Sequence, residues 1–293
     1  MIREFAAAKV NLALRVGALR EDGYHPVDSI VVFADWGDQL SVAPADELSL
    51  HISGPEAVGL SAGENNLVIR AARALANAAG CEPAGQITLE KHIPAGAGLG
   101  GGSADAAAAL RAFNRLWELD WPLDMLAGIG AEIGSDVPAC VWSQPLRMTG
   151  RGERIRPIDA WPDFHALLVN PRLPVATGPV FLAFDTMPAG TGAAFRPTAD
   201  TGRAPILESL RAATNDLTDA AMSVQPVIRD VLTALGAADE ADLARMSGSG
   251  ATCFAIYPAA AERDVAAARL TSEHPDWLVQ PVVFSGASAI TPA

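Results

Sequence analysis

Residues 95–110 read AGAGLGGGSADAAAAL, and this stretch constrains the chain more than any other. From Gly96 to Gly102, five of seven residues are glycine; from Ala104 the chain turns to alanine, the best helix former. So much backbone freedom directly before a helix predicts a strand, a loop and a helix in succession. Upstream, GQITLEKHIP (85–94) alternates apolar and polar residues and stops at Pro94, as a strand would. Downstream, the apolar spacing of Leu110, Phe113, Leu116 and Trp117 predicts a helix from about Ser103 to Leu119.

Three common glycine loops compete for this stretch. A Walker loop ends in Gly-Lys-Ser/Thr, but here Ser103 follows Gly102 directly. Gly96, Gly98 and Gly101 satisfy the dinucleotide pattern G-x-G-x-x-G, but the next segment, WPLDMLAGIGAEIG, reads as a second helix and not as the required strand. A protein-kinase loop lies between strands and is followed by H-R-D and D-F-G, which this chain lacks. The physical reading that survives is an anion cradle. Glycines let successive N–H groups turn inward, Ser103 is expected to cap the helix, and the helix dipole adds positive charge there. Lys91, on the strand just before the loop, favours a phosphate over a plain capped turn. Asp105 runs against it, because a carboxylate in the first helical turn repels phosphate.

The charge of −13 makes the cradle more pointed, since an acidic chain must hold an anion locally. It also speaks against a nucleic-acid-binding surface. Of 21 Lys+Arg, only Lys9 and Lys91 are lysine, which suggests sites where a compact ammonium suits better than a guanidinium. No apolar run is long enough to span a membrane and the N-terminus lacks a signal-peptide layout, so a cytoplasmic protein is expected. Cys81, Cys140 and Cys253 have neither metal-ligand nor disulfide spacing, and the histidines are scattered.

Elsewhere, 2–16 and 28–43 read as strands joined by REDGYHP, and 65–80 reads as a helix stopped by Gly80. Residues 146–158 read as a hairpin, 164–171 as a buried strand, and 177–185, 204–213 and 216–236 as helices. LARMSGSGATCFAIYP (243–258) is two apolar runs around a glycine turn, followed by a helix at 259–273 and a strand at 277–284. The fold expected is α+β in two domains, 1–158 and 159–293, with PIDAWPD (157–163) at the boundary.

KHIPAGAGLGGGSADAA (91–107) resembles the nucleotide loop of the GHMP kinases, AKVNLALRV (8–16) their N-terminal motif, and SGSGATCFAI (247–256) their C-terminal glycine motif. The resemblance covers nearly the whole chain. It implies a ribosomal-protein-like N-terminal ATP-binding domain, a ferredoxin-like C-terminal domain, and an active site in the cleft between them. REDGYHPVDSIV (20–31), GSDVP (134–138) and TNDL (214–217) are similar to one branch, which phosphorylates a hydroxyl of a cytidine-diphosphate-linked methylerythritol on the non-mevalonate route to isoprenoid precursors. ATP and Mg2+ are implied with it. Homoserine- or mevalonate-type kinases, a ligand sensor without chemistry, and an RNA-binding module are the alternatives.

The resemblance makes Asp136 the catalytic carboxylate, where the residues alone suggest a turn aspartate pinned before a buried strand. It pairs Lys9 with Asp136, where the alternative is a strand-edge lysine with its head in water. Asn11, two residues on and on the same face, would bind substrate near the reacting group. Tyr24 and His25 would stack on and read the cytosine, with Thr177 and Phe181 facing it from the second domain; helical spacing explains Phe181 equally well as core. Asn66 would contact adenine as well as cap a helix, and Lys91 would contact adenine rather than phosphate. Pro94, Gly96 and the run Gly98, Leu99, Gly100, Gly101, Gly102 and Ser103 would wrap the nucleotide, with Ser249 and Gly250 beside the cleft. Oligomeric state (monomer or weak homodimer), the magnesium ligands and residues 186–206 are left without assignment.

Overall fold

The computed structural model describes all residues except 188–194, 196–200, 237–240 and 291–293. Two long strands, β1 (Ile2–Val16) and β2 (Val27–Ala43), pair antiparallel along almost their full length. Register shifts fall between Ala7 and Lys9 and between Asn11 and Ala13. Such irregularities bend a strand and re-aim its side chains, and these two bracket Lys9 and Asn11.

β2 also pairs with β4 (Gly85–Glu90) and with β5 (Leu146–Gly150), which continues into β6 (Arg154–Pro157); β3 (Leu48–Ser53) lies parallel to β4. β3 was not anticipated from the sequence. A second group of strands is built from β7 (Phe164–Asn170), β8 (Leu243–Met246), β9 (Cys253–Tyr257) and β10 (Leu278–Phe284), in the order β10-β7-β9-β8. Among the described residues the ladders of the two groups join at one pair, Phe284 with Ala34 of β2. One apolar cluster is shared by the two groups: Val10, Leu12 and Ile30 pack with Phe164, Leu168, Phe254 and Phe284.

Helix α1 (Leu67–Ala79) is capped by Asn66, whose side chain accepts the Val68 N–H, and closed by Gly80 in the left-handed region. Helix α2 (Gly101–Leu116) is buried on every side from Ala104 to Asn114. Its alanines allow close approach by α1, α3 (Leu123–Ile133) and α4 (Val137–Trp142) as well as the sheet. The second half adds α5 (Thr177–Phe184), α6 (Arg203–Ala212), α7 (Thr218–Val224), α8 (Val227–Gly236) and α9 (Ala260–Glu273).

Three expectations are corrected. Helix α2 begins at Gly101, two residues early, and its cap is Gly100 in the left-handed region (φ +63°) rather than Ser103. Backbone N–H groups of glycine therefore form the helix mouth, and Ser103 lies inside the first turn. Asp136 precedes the short helix α4, with Pro138 in its first turn, and not a strand. The helix expected over 216–236 is two helices, because Pro226 cannot continue the first. Most of 186–206 lies outside the described residues. Among those described, no helix is long and apolar enough to cross a membrane.

Candidate active site

The end of β4, the glycine loop, the mouth of α2, the bulged part of β1 and the start of α5 enclose a cleft of about 670 Å³. Both lysines of the chain line it, as do Asn11, Asn66, Pro94, Gly96, Gly98–Ser103, Asp136, Thr177, Phe181 and Ser249.

Lys9 is buried, and its Nζ donates to Asp136 Oδ1 at 2.8 Å and to Asn11 Oδ1 at 3.2 Å. An ammonium there is tolerable only because it is paired. Asp136 is the open member, with 36% of its side chain exposed. Asn11 is held at both ends of its amide: its Nδ2 also donates to Ser29 Oγ at 2.7 Å, and Ser29 in turn donates to the Ala13 carbonyl. It orients the ammonium and also lines the cleft. The Lys9 backbone N–H donates to the Leu99 carbonyl at 2.9 Å, which ties β1 to the glycine loop.

The loop is held from behind by the C-terminal glycine motif. The Ala97 carbonyl accepts from the Thr252 hydroxyl at 2.5 Å and from the Thr252 N–H at 3.2 Å. Gly98 (φ +76°) lies so close to this motif that a Cβ would sit 2.3 Å from the Gly250 carbonyl oxygen. Only glycine fits on both counts. Gly250 thus packs behind the loop, while Ser249 lines the cleft and its hydroxyl lies 3.1 Å from that of Thr177.

Lys91 is also buried, and its Nζ is held by two carboxylates, Asp38 and Asp105 (2.6 Å to Asp105 Oδ2). Neither partner was paired with it from the sequence, since they lie 53 and 14 residues away. Asn66 uses both ends of its amide locally, accepting from Val68 N–H at 2.9 Å and donating to the Ser61 carbonyl at 2.7 Å, while still lining the cleft.

The residues expected to face a base are only partly brought together. His25 is buried; its Nδ1 donates to the Gly17 carbonyl at 2.8 Å, and its ring lies 5.2 Å from that of Phe181. Its Nε2 is 3.3 Å from Asp185 Oδ1 at the end of α5. Phe181 both lines the cleft and packs on the second-half core, so its two readings coexist. Tyr24 is 53% exposed, outside the cleft, with the Arg151 guanidinium 4.8 Å over its ring.

Sequence reasoning missed Asn215 and Ser247 as framework. Asn215 donates to the carbonyls of Met246 and Gly248, and Ser247 Oγ accepts from the Asn11 N–H. Both lie inside the motifs TNDL and SGSG, so their motifs were visible and their partners were not. Asp216 accepts from the Val16 N–H at 3.0 Å, away from the reacting groups. Cys140 is buried under the Lys9–Asp136 pair, and burial pushes its thiol up to about 12. Burial raises the Cys253 thiol as well. Both are inert packing groups.

A lysine–carboxylate pair opposite a glycine cradle at a helix mouth is the apparatus of a small-molecule phosphotransferase. Residues 66–144 match the GHMP kinases N terminal domain and residues 202–275 the GHMP kinases C terminal domain. The chain belongs to the GHMP kinase family. Along its length it is 45% identical to the 4-diphosphocytidyl-2-C-methyl-D-erythritol kinase of Paramagnetospirillum magneticum, covering 94% of this chain and 96% of that one. It is 43% identical to the enzyme of the same name from Rhodospirillum rubrum, covering 99% and 95%. A crystal structure of 4-(cytidine 5'-diphospho)-2C-methyl-D-erythritol kinase superposes with a TM-score of 0.76 at 31% identity, over 97% of this chain and all of that one. The homoserine kinase of Cytophaga hutchinsonii, at 17% identity and a TM-score of 0.72 over 97% and 96% of the chains, shares the fold.

Proposed function

We propose that the protein transfers the γ-phosphoryl group of ATP to the 2-hydroxyl of 4-diphosphocytidyl-2-C-methyl-D-erythritol, giving the 2-phosphate and ADP. The carrying observation is the Lys9–Asp136 pair, 2.8 Å apart in the same cleft as the glycine loop. The cytidyl alcohol follows from the name shared by relatives that match along almost the whole chain.

Phosphoryl transfer asks for an in-line hydroxyl, neutralised phosphate charge and a destination for a proton. The N–H groups at the mouth of α2 meet the phosphates, aided by the helix dipole. Asp136, open to the cleft, accepts the hydroxyl proton or orients it. The Lys9 ammonium spends two donors on Asp136 and Asn11 and turns its third toward the transferring group. We place adenine by Asn66 and Lys91, and cytosine by His25 with Phe181, Thr177 and Tyr24 around it. Residues 1–158 form the ATP-binding domain and 159–293 the domain that completes the substrate site. The direct contact of His25 with Phe181 is compatible with this placement if α5 yields when the base enters.

Mg2+ keeps most of its water and phosphate ligands and asks one or two carboxylates of a protein. Among the described residues no group of three acidic, histidine or cysteine side chains could hold a metal. Of the two aspartates that line the cleft, Asp136 is the exposed one; it fits a phosphate-borne ion and would hold it. When bound, the ion would neutralise phosphate charge.

The test is a kinase assay on a substrate panel. ADP release is expected with Mg·ATP and the cytidyl alcohol, and none with homoserine or mevalonate. Turnover on either of the latter alone would defeat the assignment.

A further inference from the structure

Asp105 is the residue that the anion cradle leaves unexplained. It stands on α2 one turn inside a helix mouth expected to hold polyphosphate, where a carboxylate should repel the ligand. Two buried carboxylates share one ammonium here. Asp38 is wholly buried and has three donors: Lys91 on Oδ2, and the N–H groups of His92 (2.5 Å) and Ile93 (2.8 Å) on Oδ1. Asp105 is 4% exposed and has only Lys91 on Oδ2, while its Oδ1 has no partner. A carboxylate accepting several N–H bonds is stabilised as the anion, and one left with a bare buried oxygen is not.

We propose that Asp105 is a positioning residue held as the neutral acid, which leaves the Lys91–Asp38 pair to balance itself and the helix mouth free to attract phosphate. Burial is the main cause that raises Asp105, to about 8; the Lys91 ammonium opposes this and the Asp38 charge adds to it. Among the described residues the neighbouring cations are otherwise engaged or exposed. Lys9 is engaged by Asp136, Arg111 on α2 by Glu4 at 2.8 Å, and the Cys140 thiol of α4 is neutral. On α1 and α3, Arg70, Arg73, Asp124 and Glu132 lie on the exposed surface. The same triad spans the loop, with Asp38 gripping its entry at His92 and Ile93 and Lys91 crossing to α2 at its exit.

It follows that alkali should weaken nucleotide binding: once Asp105 ionises, a negative charge stands beneath the phosphates. The inference rests on ATP binding in the cleft, but not on the identity of the alcohol. The experiment is equilibrium binding of ATP alone to the full-length wild type and to Asp105→Asn, at steps between about pH 7 and 9.5. Wild-type affinity is expected to fall on the order of tenfold through about pH 8. Asp105→Asn, measured against identically ionised ATP, is expected to stay flat. Parallel profiles in the two proteins would overturn the inference while leaving the kinase reading intact; no ATP binding by the wild type at any pH would overturn both. Should the variant fail to fold, a pH-difference infrared spectrum of the wild type decides. A buried carboxylic-acid carbonyl band that disappears above about pH 8 supports the proposal, and its absence near neutral pH refutes it.

Discussion

The only two lysines of the chain lie in one cleft, buried to the same degree, yet they belong to different environments. Lys9 meets one carboxylate, and that carboxylate is open to the cleft. Lys91 meets two, both shut away: the side chains of Asp38 and Asp105 are 0% and 5% exposed. Each ammonium uses two of its three donors on side chains, so what separates them is the partner: Asp136 is open to a ligand, whereas Asp38 and Asp105 are shut away and tie the loop to α2. Lysine suits both places because its point charge turns toward partners on different elements, which a planar guanidinium does not.

The sharpest way to break this comparison is to remove the chemistry at the open pair. Asp136→Asn should lower kcat by about a hundred- to ten-thousand-fold with little change in ATP affinity, by steady-state kinetics and binding, and should lower the melting temperature because the buried Lys9 ammonium loses its charged partner. Wild-type turnover in that variant would return Asp136 to the role of a turn residue. Removing the charge at the closed site should fall mainly on stability. Lys91→Met leaves the buried Asp38 charge without its ammonium and should cost about 3–5 kcal/mol in denaturant unfolding, as loss of one buried partner does.

The closed site should also show in the pH dependence of stability. Asp105 is raised from its ordinary 3.8 to about 8, so the folded state holds a proton the unfolded chain releases. Stability must then fall as pH rises from about 4 to about 8, and level off above. Asp105→Asn should remove that component, so its advantage over wild type grows across the window and then stays constant. A pH-independent difference would place the charge elsewhere. Phe181→Ala should raise KM for the cytidyl alcohol about tenfold through lost stacking while KM for ATP holds, since stacking on a base is worth about 1–3 kcal/mol. Equal effects on both would assign Phe181 to the core alone. Smallest of all, breaking the surface pair Arg73–Glu64, 2.7 Å apart and exposed, by Glu64→Gln should leave the denaturant midpoint unchanged within error, because solvent screens the pair.

Much of the site was legible because local chemistry writes itself into sequence. The glycine-to-alanine switch announced a loop feeding a helix, and the rarity of lysine marked two cleft residues before any distance was known. The cap at Asn66 and the stop at Gly80 were readable for the same reason: a cap acts within a few residues. The start of α2 was misplaced because serine is the usual cap, while here the left-handed Gly100 opens the helix directly onto the loop. The segment after Asp136 was misread because a six-residue helix carries too few turns to show its period. Phe181 could not be resolved by spacing, since one ring covers both the core and His25.

The sequence alone determined most of the strands and helices, a loop that can wrap a polyphosphate, and the two lysines that stand out by residue type; Asp136 was reached only through the family resemblance. The elements, the loop and the lysines follow from backbone freedom, apolar period and residue type, which act over short stretches. Only the tertiary structure decided who meets whom. Asp38 lies 53 residues from Lys91, and Asp136 lies 127 from Lys9. The same residue types could have exchanged partners. Burial then fixed what each pairing means, because the charge of a carboxylate depends on how many donors reach it and how far it is from water.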